Sequence, residues 1–344
     1  MKNLLIINYA MDENSPVFSH QAEAANEISN YFSQVFVLTS KVGSYPPKDN
    51  VHVISTEWQH GRNFKNVLTF YRLVFYILRK EKIDVVFCHM TDVQSALLSI
   101  PLKVLGLHHF LWYAHATKSK FLAFSSYFVT GLITSTRGSL PVHKANVHII
   151  GQAINVQKFD YHVRDSFDFA KFVHFGRLDK SKRIFEIVKC IEEVKSNNPR
   201  TSLTFYGSPS TLESAEYVEQ ILQDSRGKFE GDWLRVLAPV PRNSIGTLLS
   251  NFDVFIHGYL GSLDKTIMEA TFIGIPVVTS NPEYLTIFGS WNPLGFISLN
   301  DEIQSLKGLR DSELASALNS RRQLAHKNHS LTNWGNRVGQ ILNQ

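Results

Sequence analysis

Residues 257–281 read HGYLGSLDKTIMEATFIGIPVVTSN. A turn-rich loop opens the segment, a helix-length stretch follows, and Gly274 and Pro276 end that helix before a short apolar strand. Three charges lie at the mouth and in the first turns of this otherwise apolar helix: Asp264, Lys265 and Glu269. A buried charge is costly unless a polar group compensates it, whereas the N–H groups at a helix start can bind an anion. The segment is therefore either a crossover helix with solvated charges or an anion-binding helix start.

Length and composition predict an ordinary globular protein. The chain has 344 residues, of which 44% are hydrophobic and 19% charged, and this length suggests two domains. Its net charge is +5, and the excess of Lys and Arg falls in the first half. This excess is too small for a dedicated nucleic-acid binder, so no nucleic-acid partner is expected. It suits a surface that faces anionic lipid or a phosphorylated acceptor.

Cysteine content and the N-terminus indicate a cytoplasmic location. Cys88 and Cys190 are the only cysteines and have no metal-binding or redox spacing, which favours a reduced compartment. The start MKNLLIINYA predicts a first strand and not a signal peptide. Since no uncharged apolar run approaches 18 residues, no membrane span is expected.

Short apolar runs alternate with helix-length segments on both sides of a polar, turn-rich linker at residues 151–169. This alternation predicts α/β architecture with parallel sheets covered on both faces. We expect two Rossmann-like, doubly wound domains facing a cleft, with domain boundaries at 1–160 and 161–326. A terminal helix at 327–344 is predicted to pack back toward the N-terminal domain. Strands are predicted at 4–8, 35–39, 51–55, 83–88, 110–113, 131–135, 147–150, 172–175, 203–206, 234–237, 254–256 and 277–279.

A basic and aromatic segment, FKNVLTFYRLVFYILRKEK, occupies residues 64–82. Aromatic side chains beside a basic face are typical of a helix that lies on a membrane surface. The alternative is a crossover helix whose aromatic residues pack on the sheet. The basic face predicts peripheral contact with an anionic membrane.

A second segment, FGRLDKSKR at residues 175–183, places a glycine and several cations after an apolar strand. Arg177 offers a bidentate fork to phosphate oxygens, and Lys182 adds a point charge. This layout predicts a polyanion site at the carboxyl end of the strand; a solvated basic turn is the alternative.

These segments resemble a known family. GRLDKSK resembles the G-R-L-[DE]-x-x-K signature of the retaining glycosyltransferases of family 4, which have the GT-B fold. EATFIGIPVV at 269–278 resembles their E-A-x-x-x-G-x-P-V-V motif, and GQAINVQKF at 151–159 resembles their linker. The resemblance covers nearly the whole chain and is most specific over residues 172–281.

The resemblance implies a retaining glycosyltransferase that moves a sugar from a nucleotide-sugar to a glycan or lipid-linked acceptor. Surface polysaccharide or glycolipid biosynthesis is the expected context. The C-terminal domain would bind the donor and the N-terminal domain the acceptor. The donor is a substrate, so no cofactor is expected, and the lack of an Asp-x-Asp dyad argues against an obligatory metal.

In the C-terminal domain the resemblance implies that Arg177 and Lys182 hold the donor diphosphate. Glu269 would bind the ribose hydroxyls, and the backbone near Val240 would lie by the base. The remaining donor-binding positions that it implies are Gly176, Asp264, Lys265 and Thr266.

In the N-terminal domain, His115 matches the strand-end histidine that faces the reacting sugar in the family. A structural histidine beside Trp112 and Tyr113 is the alternative. The loop of residues 10–20 supplies two weaker candidates for the acceptor side, Ser15 and His20.

One position departs from the family pattern. The family has Glu eight residues before Glu269, where it contacts donor-sugar hydroxyls, and this chain has Gly261. We expect Asp264 to replace the missing carboxylate. The departure also leaves open a non-catalytic nucleotide-sugar-binding homologue. A GT-B sugar-nucleotide epimerase is a further alternative.

Overall fold

The computed structural model describes residues 1–15, 18–58, 64–144, 146–161, 164, 166–241 and 244–344. The chain forms two compact units. Unit 1 comprises Met1–Asn155 together with Asn328–Gln344, and unit 2 comprises Val156–Lys327.

Parts of two predicted segments lie outside the described residues. They are Pro16 and Val17 of the loop 10–20, and His162, Val163 and Asp165 of the linker.

Twelve parallel strands are found in the described residues. They are β1 (Leu4–Met11), β2 (Val35–Val42), β3 (Val51–Ser55), β4 (Val85–His89), β5 (His108–Trp112), β6 (Gly131–Thr134), β7 (Val147–Ile149), β8 (Lys171–Phe175), β9 (Ser202–Tyr206), β10 (Leu234–Leu237), β11 (Val254–His257) and β12 (Val277–Thr279).

The same part of the chain contains twelve α-helices. They are α1 (Ser19–Ile28), α2 (Phe64–Lys80), α3 (Asp92–Val104), α4 (Lys120–Ser125), α5 (Ile184–Asn197), α6 (Leu212–Arg226), α7 (Ile245–Leu249), α8 (Lys265–Ile273), α9 (Pro282–Phe288), α10 (Leu299–Lys307), α11 (Asp311–His329) and α12 (Leu331–Leu342).

The sheet of unit 1 is buried on both faces. Its strand order is β3-β2-β1-β4-β5-β6-β7. Successive side chains of a strand point to opposite faces, so Leu4 and Ile6 pack in one core with α1 and α12, whereas Leu5 and Ile7 pack in the other with α2, α3 and α4. This arrangement confirms the predicted parallel sheet between two helical layers.

The last helix, α12, closes the core of unit 1. Trp334 is fully buried, and its ring lies edge-on to Trp112 with 5.3 Å between the ring centroids. Two glycines on α12 allow close contact with α1 and the turn after it: a Cβ at Gly335 would lie 2.4 Å from Glu27, and one at Gly339 would lie 2.5 Å from Tyr31. The C-terminal segment thus belongs to the same unit as the N-terminus.

The sheet of unit 2 has the strand order β10-β9-β8-β11-β12. Strand β8 is central, with β9 on one side and β11 on the other. The order of connections reverses between β8 and β11, and such switch points bind ligands outside the carboxyl ends of their strands. The helix α5, which follows β8, buries apolar side chains at helical spacing: Ile184, Ile187, Val188, Ile191 and Val194.

Several strand ends and helices differ from the sequence-based expectation, and β2, for example, continues three residues past its predicted end at Thr39. Strand β1 continues three residues past the predicted end at Asn8, because Ala10 and Met11 pair with Lys41 and Val42 of β2. Several helices of unit 2 were missed, although α10 has a capping signal in its sequence: Ser298 Oγ accepts the Asp301 N–H at 3.1 Å.

Among the described residues, no helix has both the length and the apolar character needed to cross a membrane.

Candidate active site

The three candidates of unit 1 lie at the carboxyl edge of its sheet. His115 follows β5 and is exposed, and its ring stands edge-on to Tyr113 at 5.7 Å between centroids. Ser15 follows β1, and its Oγ accepts the Phe18 N–H at 3.2 Å. His20 lies in the first turn of α1, with its ring 6.0 Å from that of His89. Parallel strands therefore bring all three residues to one edge.

Three further polar residues at this edge were not predicted: Tyr9, Asp92 and Tyr113. Burial, followed by the charge of Asp92, raises the pKa of Tyr9 to about 12 and also raises the pKa of Tyr113. Both phenols therefore stay protonated at neutral pH. Asp92 Oδ2 also accepts a hydrogen bond from Ser119 Oγ at 2.5 Å.

In unit 2 the turn after β8 separates the two predicted cations. Gly176 has φ +148°, a backbone conformation that favours glycine. Arg177 then points to solvent, with 67% of its side chain exposed, and pairs with Asp179 at 3.4 Å. Because the guanidinium end of this pair is exposed, the pair contributes little stability, and the guanidinium can exchange Asp179 for a ligand.

Lys182, in contrast, is buried. It ends a short 3₁₀ turn, Lys180–Lys182, and Arg183 after it adopts a left-handed conformation with φ +55°. Only 7% of Lys182 is exposed, and its ammonium group donates a hydrogen bond to Asp264 Oδ2. The structure therefore joins the turn after β8 to the loop before α8 through one ion pair.

A chain of hydrogen bonds continues from Asp264 across the sheet edge. His257 Nε2 lies 3.0 Å from Asp264 Oδ2, and His257 Nδ1 lies 3.1 Å from Thr279 Oγ1. The Asn281 N–H donates to the same Thr279 hydroxyl at 3.0 Å. Because an ionised carboxylate only accepts, Nε2 carries the proton and Nδ1 accepts the Thr279 hydroxyl.

The charges in this network follow from its surroundings. Burial alone would raise the pKa of Asp264, but the His257 hydrogen bond and the Lys182 charge outweigh it, so the pKa lies well below its ordinary value. Burial lowers the pKa of His257, against the opposing effect of Asp264. At neutral pH the network therefore holds an ammonium, a carboxylate and a neutral imidazole.

The loop between β11 and α8 is fixed by Asn281, which is fully buried. Its Nδ2 lies within 2.9–3.3 Å of three carbonyl oxygens, those of Tyr259, Gly261 and Ser262. Its Oδ1 accepts the Tyr284 N–H at 3.0 Å and so caps α9. One amide side chain thus holds the loop against the start of the next helix.

The start of α8 adjoins the Lys182–Asp264 ion pair. Asp264 is the N-cap residue, yet its side chain makes no capping hydrogen bond because it faces Lys182 and His257. Lys265 and Thr266 form the first turn, and Glu269, which is 1% exposed, follows in the second. The positive end of the α8 dipole therefore lies beside a buried lysine.

Val240 lies elsewhere on the same edge. It follows β10, the outermost strand on the β9 side, and is half-buried. A ligand that reaches from Lys182 to Val240 would extend across the ends of β8, β9 and β10.

Comparison with protein families gives one match within this chain. Residues 164–319 match the family of glycosyl transferases group 1. The match covers most of unit 2, including both loops that meet at Lys182. No curated protein sequence matches the chain.

Solved structures share the fold along the whole chain. HepE from Anabaena, crystallised with UDP-glucose, is 12% identical with a TM-score of 0.73, and the match covers 100% of both chains. A glycosyltransferase from Rickettsia africae is also 12% identical, with a TM-score of 0.73 and coverage of 99% and 98%. TarM, known from S. aureus, is 10% identical with a TM-score of 0.74 and coverage of 100% and 99%. The fold is the GT-B fold of the glycosyltransferases, as the resemblance implied.

Within the segment that matches the family model, the structure brings Lys182 into contact with Asp264, next to Lys265 and Thr266. Arg177 lies on the same turn as Lys182 but makes a separate, exposed pair. Sequence reasoning missed the residues that organise the site: His257, Tyr259, Thr279 and Asn281. Their positions at the carboxyl ends of β11 and β12 were a usable signal for His257 and Asn281.

Proposed function

We propose that this protein is a retaining glycosyltransferase that moves a sugar from a nucleotide-sugar to a glycan or lipid-linked acceptor. The observation that carries the proposal is the buried Lys182 at the switch point of a glycosyl transferases group 1 domain, beside the start of α8. The structure of HepE with UDP-glucose supports a uridine nucleotide as the donor.

The chemistry required is stabilisation of a leaving group. When the glycosyl–phosphate bond breaks, negative charge develops on the diphosphate and the sugar becomes oxocarbenium-like. Lys182, Arg177 and the α8 N-terminus supply positive charge where the leaving group forms, and fixed charges of this kind are usually the largest catalytic contribution. We therefore propose a reaction without an obligatory metal, so transfer is expected to persist in EDTA.

The roles of the other candidate residues are proposed from their positions in the sequence motifs. Glu269 binds the ribose hydroxyls, and the backbone near Val240 lies by the base. On unit 1, His115 faces the reacting sugar, and Ser15 and His20 lie on the acceptor side. Retention proceeds by same-face attack, with the leaving phosphate taking the acceptor proton. Proton NMR of the product tests this step, because an inverted anomeric configuration would refute it.

Release of nucleoside diphosphate in the presence of an acceptor tests the transferase itself. Lys182→Met is expected to lower kcat/KM by roughly 10²–10³-fold, the cost of removing one donor to a developing anion. Lys180→Met is the matched control, because Lys180 lies two residues earlier and its exposed ammonium pairs with Glu213 at 2.8 Å. A protein that binds the donor but neither transfers nor hydrolyses it would be a non-catalytic binding homologue.

We propose in addition that unit 1 contacts an anionic membrane at its cytoplasmic face, where surface polysaccharide or glycolipid precursors are made. The helices α2, α3 and α4 share one layer of unit 1. Phe64, Leu68 and Tyr76 of α2 are 73%, 54% and 54% exposed, among Lys65, Arg72, Arg79 and Lys80. Val104 at the end of α3 and Tyr127 after α4 are 80% and 75% exposed. Apolar and aromatic side chains beside cations match an anionic lipid surface.

Co-sedimentation with vesicles tests this contact. Binding to phosphatidylglycerol vesicles is expected to fall at least roughly thirty-fold in Arg72→Glu with Arg79→Glu, since each cation near the surface contributes about 1 kcal/mol. Arg226→Glu on α6 introduces the same type of charge reversal on unit 2 and should leave binding unchanged. Equal sedimentation of all variants, or none with anionic lipid, would remove the membrane proposal.

A further inference from the structure

Tyr259 covers the ammonium group of Lys182. The Lys182 Nζ lies 3.9 Å from the centroid of the Tyr259 ring, within the range of a cation–π contact. The ring is also edge-on to His257, with 6.3 Å between centroids. Lys182 is therefore enclosed by the Asp264 carboxylate in one direction and by an aromatic face in another.

Gly261 provides the space for this ring. A Cβ at position 261 would lie 2.1 Å from the Tyr259 hydroxyl oxygen and 2.2 Å from Cζ, so a side chain there excludes the phenol from its place. The backbone of Gly261 does not have a positive φ, so the requirement is for space and not for conformation. Tyr259 thus fills the volume into which a side chain at 261 would project.

The loop backbone and the phenol differ in how they are held. Asn281 fixes the carbonyl groups of Tyr259, Gly261 and Ser262, which holds the main chain in place. The phenol reaches Lys182 from this fixed backbone through rotatable bonds. Rotation of one side chain can therefore uncover Lys182 without moving the loop.

An anion that binds Lys182 competes with this ring. The ammonium has three N–H donors, of which Asp264 takes one, and the aromatic face lies against the group. A charge-assisted bond to phosphate is stronger than a cation–π contact, so a diphosphate displaces the ring. Building on the proposed donor site, we propose that Tyr259 is a side-chain gate over Lys182 that opens when the diphosphate of the nucleotide donor binds.

The gate lowers the affinity of any ligand that binds to the Lys182 ammonium group. Opening it requires loss of the cation–π contact, which every ligand at Lys182 has to offset. A diphosphate also reaches the start of α8, whereas a single phosphate offers fewer contacts with which to offset this loss. Because this loss is the same for both ligands, the gate weakens the binding of UDP and of inorganic phosphate by the same factor, and the diphosphate keeps the larger remaining affinity.

Calorimetric titration with UDP and with inorganic phosphate tests the gate. Tyr259→Leu removes the aromatic face, and UDP is expected to bind roughly three- to thirty-fold more tightly. Tyr259→Phe keeps the ring and should stay within twofold of the wild type. Gly261→Ala is expected to tighten UDP binding as Tyr259→Leu does, because its Cβ displaces the phenol.

Two further variants make the test specific. In the Tyr259→Leu background, Gly261→Ala should have no additional effect, because the ring on which it acts is gone. Leu260→Ala is the matched loop control, since Leu260 is 51% exposed and should leave UDP affinity unchanged. Inorganic phosphate should gain affinity in Tyr259→Leu by the same factor as UDP, because both ligands are relieved of the same loss.

The outcomes separate the gate from the donor site. Unchanged or weaker UDP binding in Tyr259→Leu, with normal binding in the wild type, would overturn the gate and leave the proposed function standing. If UDP binds to Tyr259→Leu but not to the wild type, the result would support a gate that is closed nearly all the time in the wild type. If no variant binds UDP, both the gate and the uridine donor site are refuted.

Discussion

Separating Lys182 from Asp264 is expected to destabilise unit 2, and the contact can be measured by a double-mutant cycle. Lys182→Met keeps the length of the side chain and removes its charge. Asp264 then retains His257 as its partner, whose Nε2 lies 3.0 Å away. Asp264→Asn removes the opposite charge and leaves the ammonium beside the Tyr259 ring.

The expected magnitude follows from burial. Breaking a fully buried ion pair on one side costs about 3–5 kcal/mol, because an uncompensated charge remains. Here 8% of the Lys182 side chain and 30% of the Asp264 side chain are exposed, so water reaches one partner. We expect each single substitution to lower the free energy of unfolding by about 2 kcal/mol, and the double variant to lose about 1–2 kcal/mol less than the sum.

Urea unfolding at pH 7 measures the four proteins of the cycle, and hydrogen exchange of α8 assigns the loss to unit 2. Additive effects, with no coupling energy, would refute the ion pair as a stabilising contact.

The dependence of the free energy of unfolding on acidic pH gives a second check. A lowered pKa means that Asp264 contributes stability above its ordinary value of 3.8, and this stability is lost as the pH falls through the lower folded value. Asp264→Asn should therefore flatten the decline in stability below about pH 4.

Three other predictions concern the scaffold. Burial lowers the pKa of His109 and of His174 to about 3, so unfolding takes up protons below the ordinary value of 6.5. Stability should therefore fall as the pH drops from 6.5, by up to about 1.4 kcal/mol per pH unit per histidine, and His109→Asn should reduce this slope in urea titrations. Trp334→Ala removes a fully buried ring and should lower the free energy of unfolding by about 3–5 kcal/mol, and a change within 1 kcal/mol would contradict the packing of α12. Asn281→Ala should cost about 1–3 kcal/mol and speed amide exchange at Tyr284, whose N–H it leaves without its cap.

The fold was largely predictable because its signal is local. Continuous apolar runs specify strands that are buried on both faces, and helix-length segments between them specify parallel order. The segment at 184–194 shows this directly, since its five-residue apolar stripe is the buried face of α5. The extension of β1 was missed because its pairing partners on β2 are some 30 residues away, and pairing at that distance leaves no mark on the local pattern.

For the candidate site, the sequence predicted which segments meet at Lys182 but not the side-chain contacts between them. Lys182 and Asp264 stand out in the sequence as charges next to apolar segments, and the strand order brings them together. Which carbonyl groups Asn281 holds, and that Tyr259 occupies the volume beside Gly261, depend on side-chain directions in the folded loop. The expectation that Asp264 replaces the missing carboxylate stays a prediction, and the position of Tyr259 offers a second occupant for that place.

The glycines around Lys182 show why sequence reasoning misjudges such loops. Gly258 lies in the turn-rich loop that opens residues 257–281, yet its φ is not positive, and a Cβ there would lie 2.8 Å from the Lys182 carbonyl oxygen. Gly207, after β9, is similar, because its Cβ would lie 1.8 Å from the carbonyl oxygen of Gly176. These residues let the loops after β8, β9 and β11 approach one another at backbone distance. The Lys182 ion pair spans two of these loops, so the close approach at Gly258 is what places the ammonium within reach of Asp264 and the Tyr259 ring.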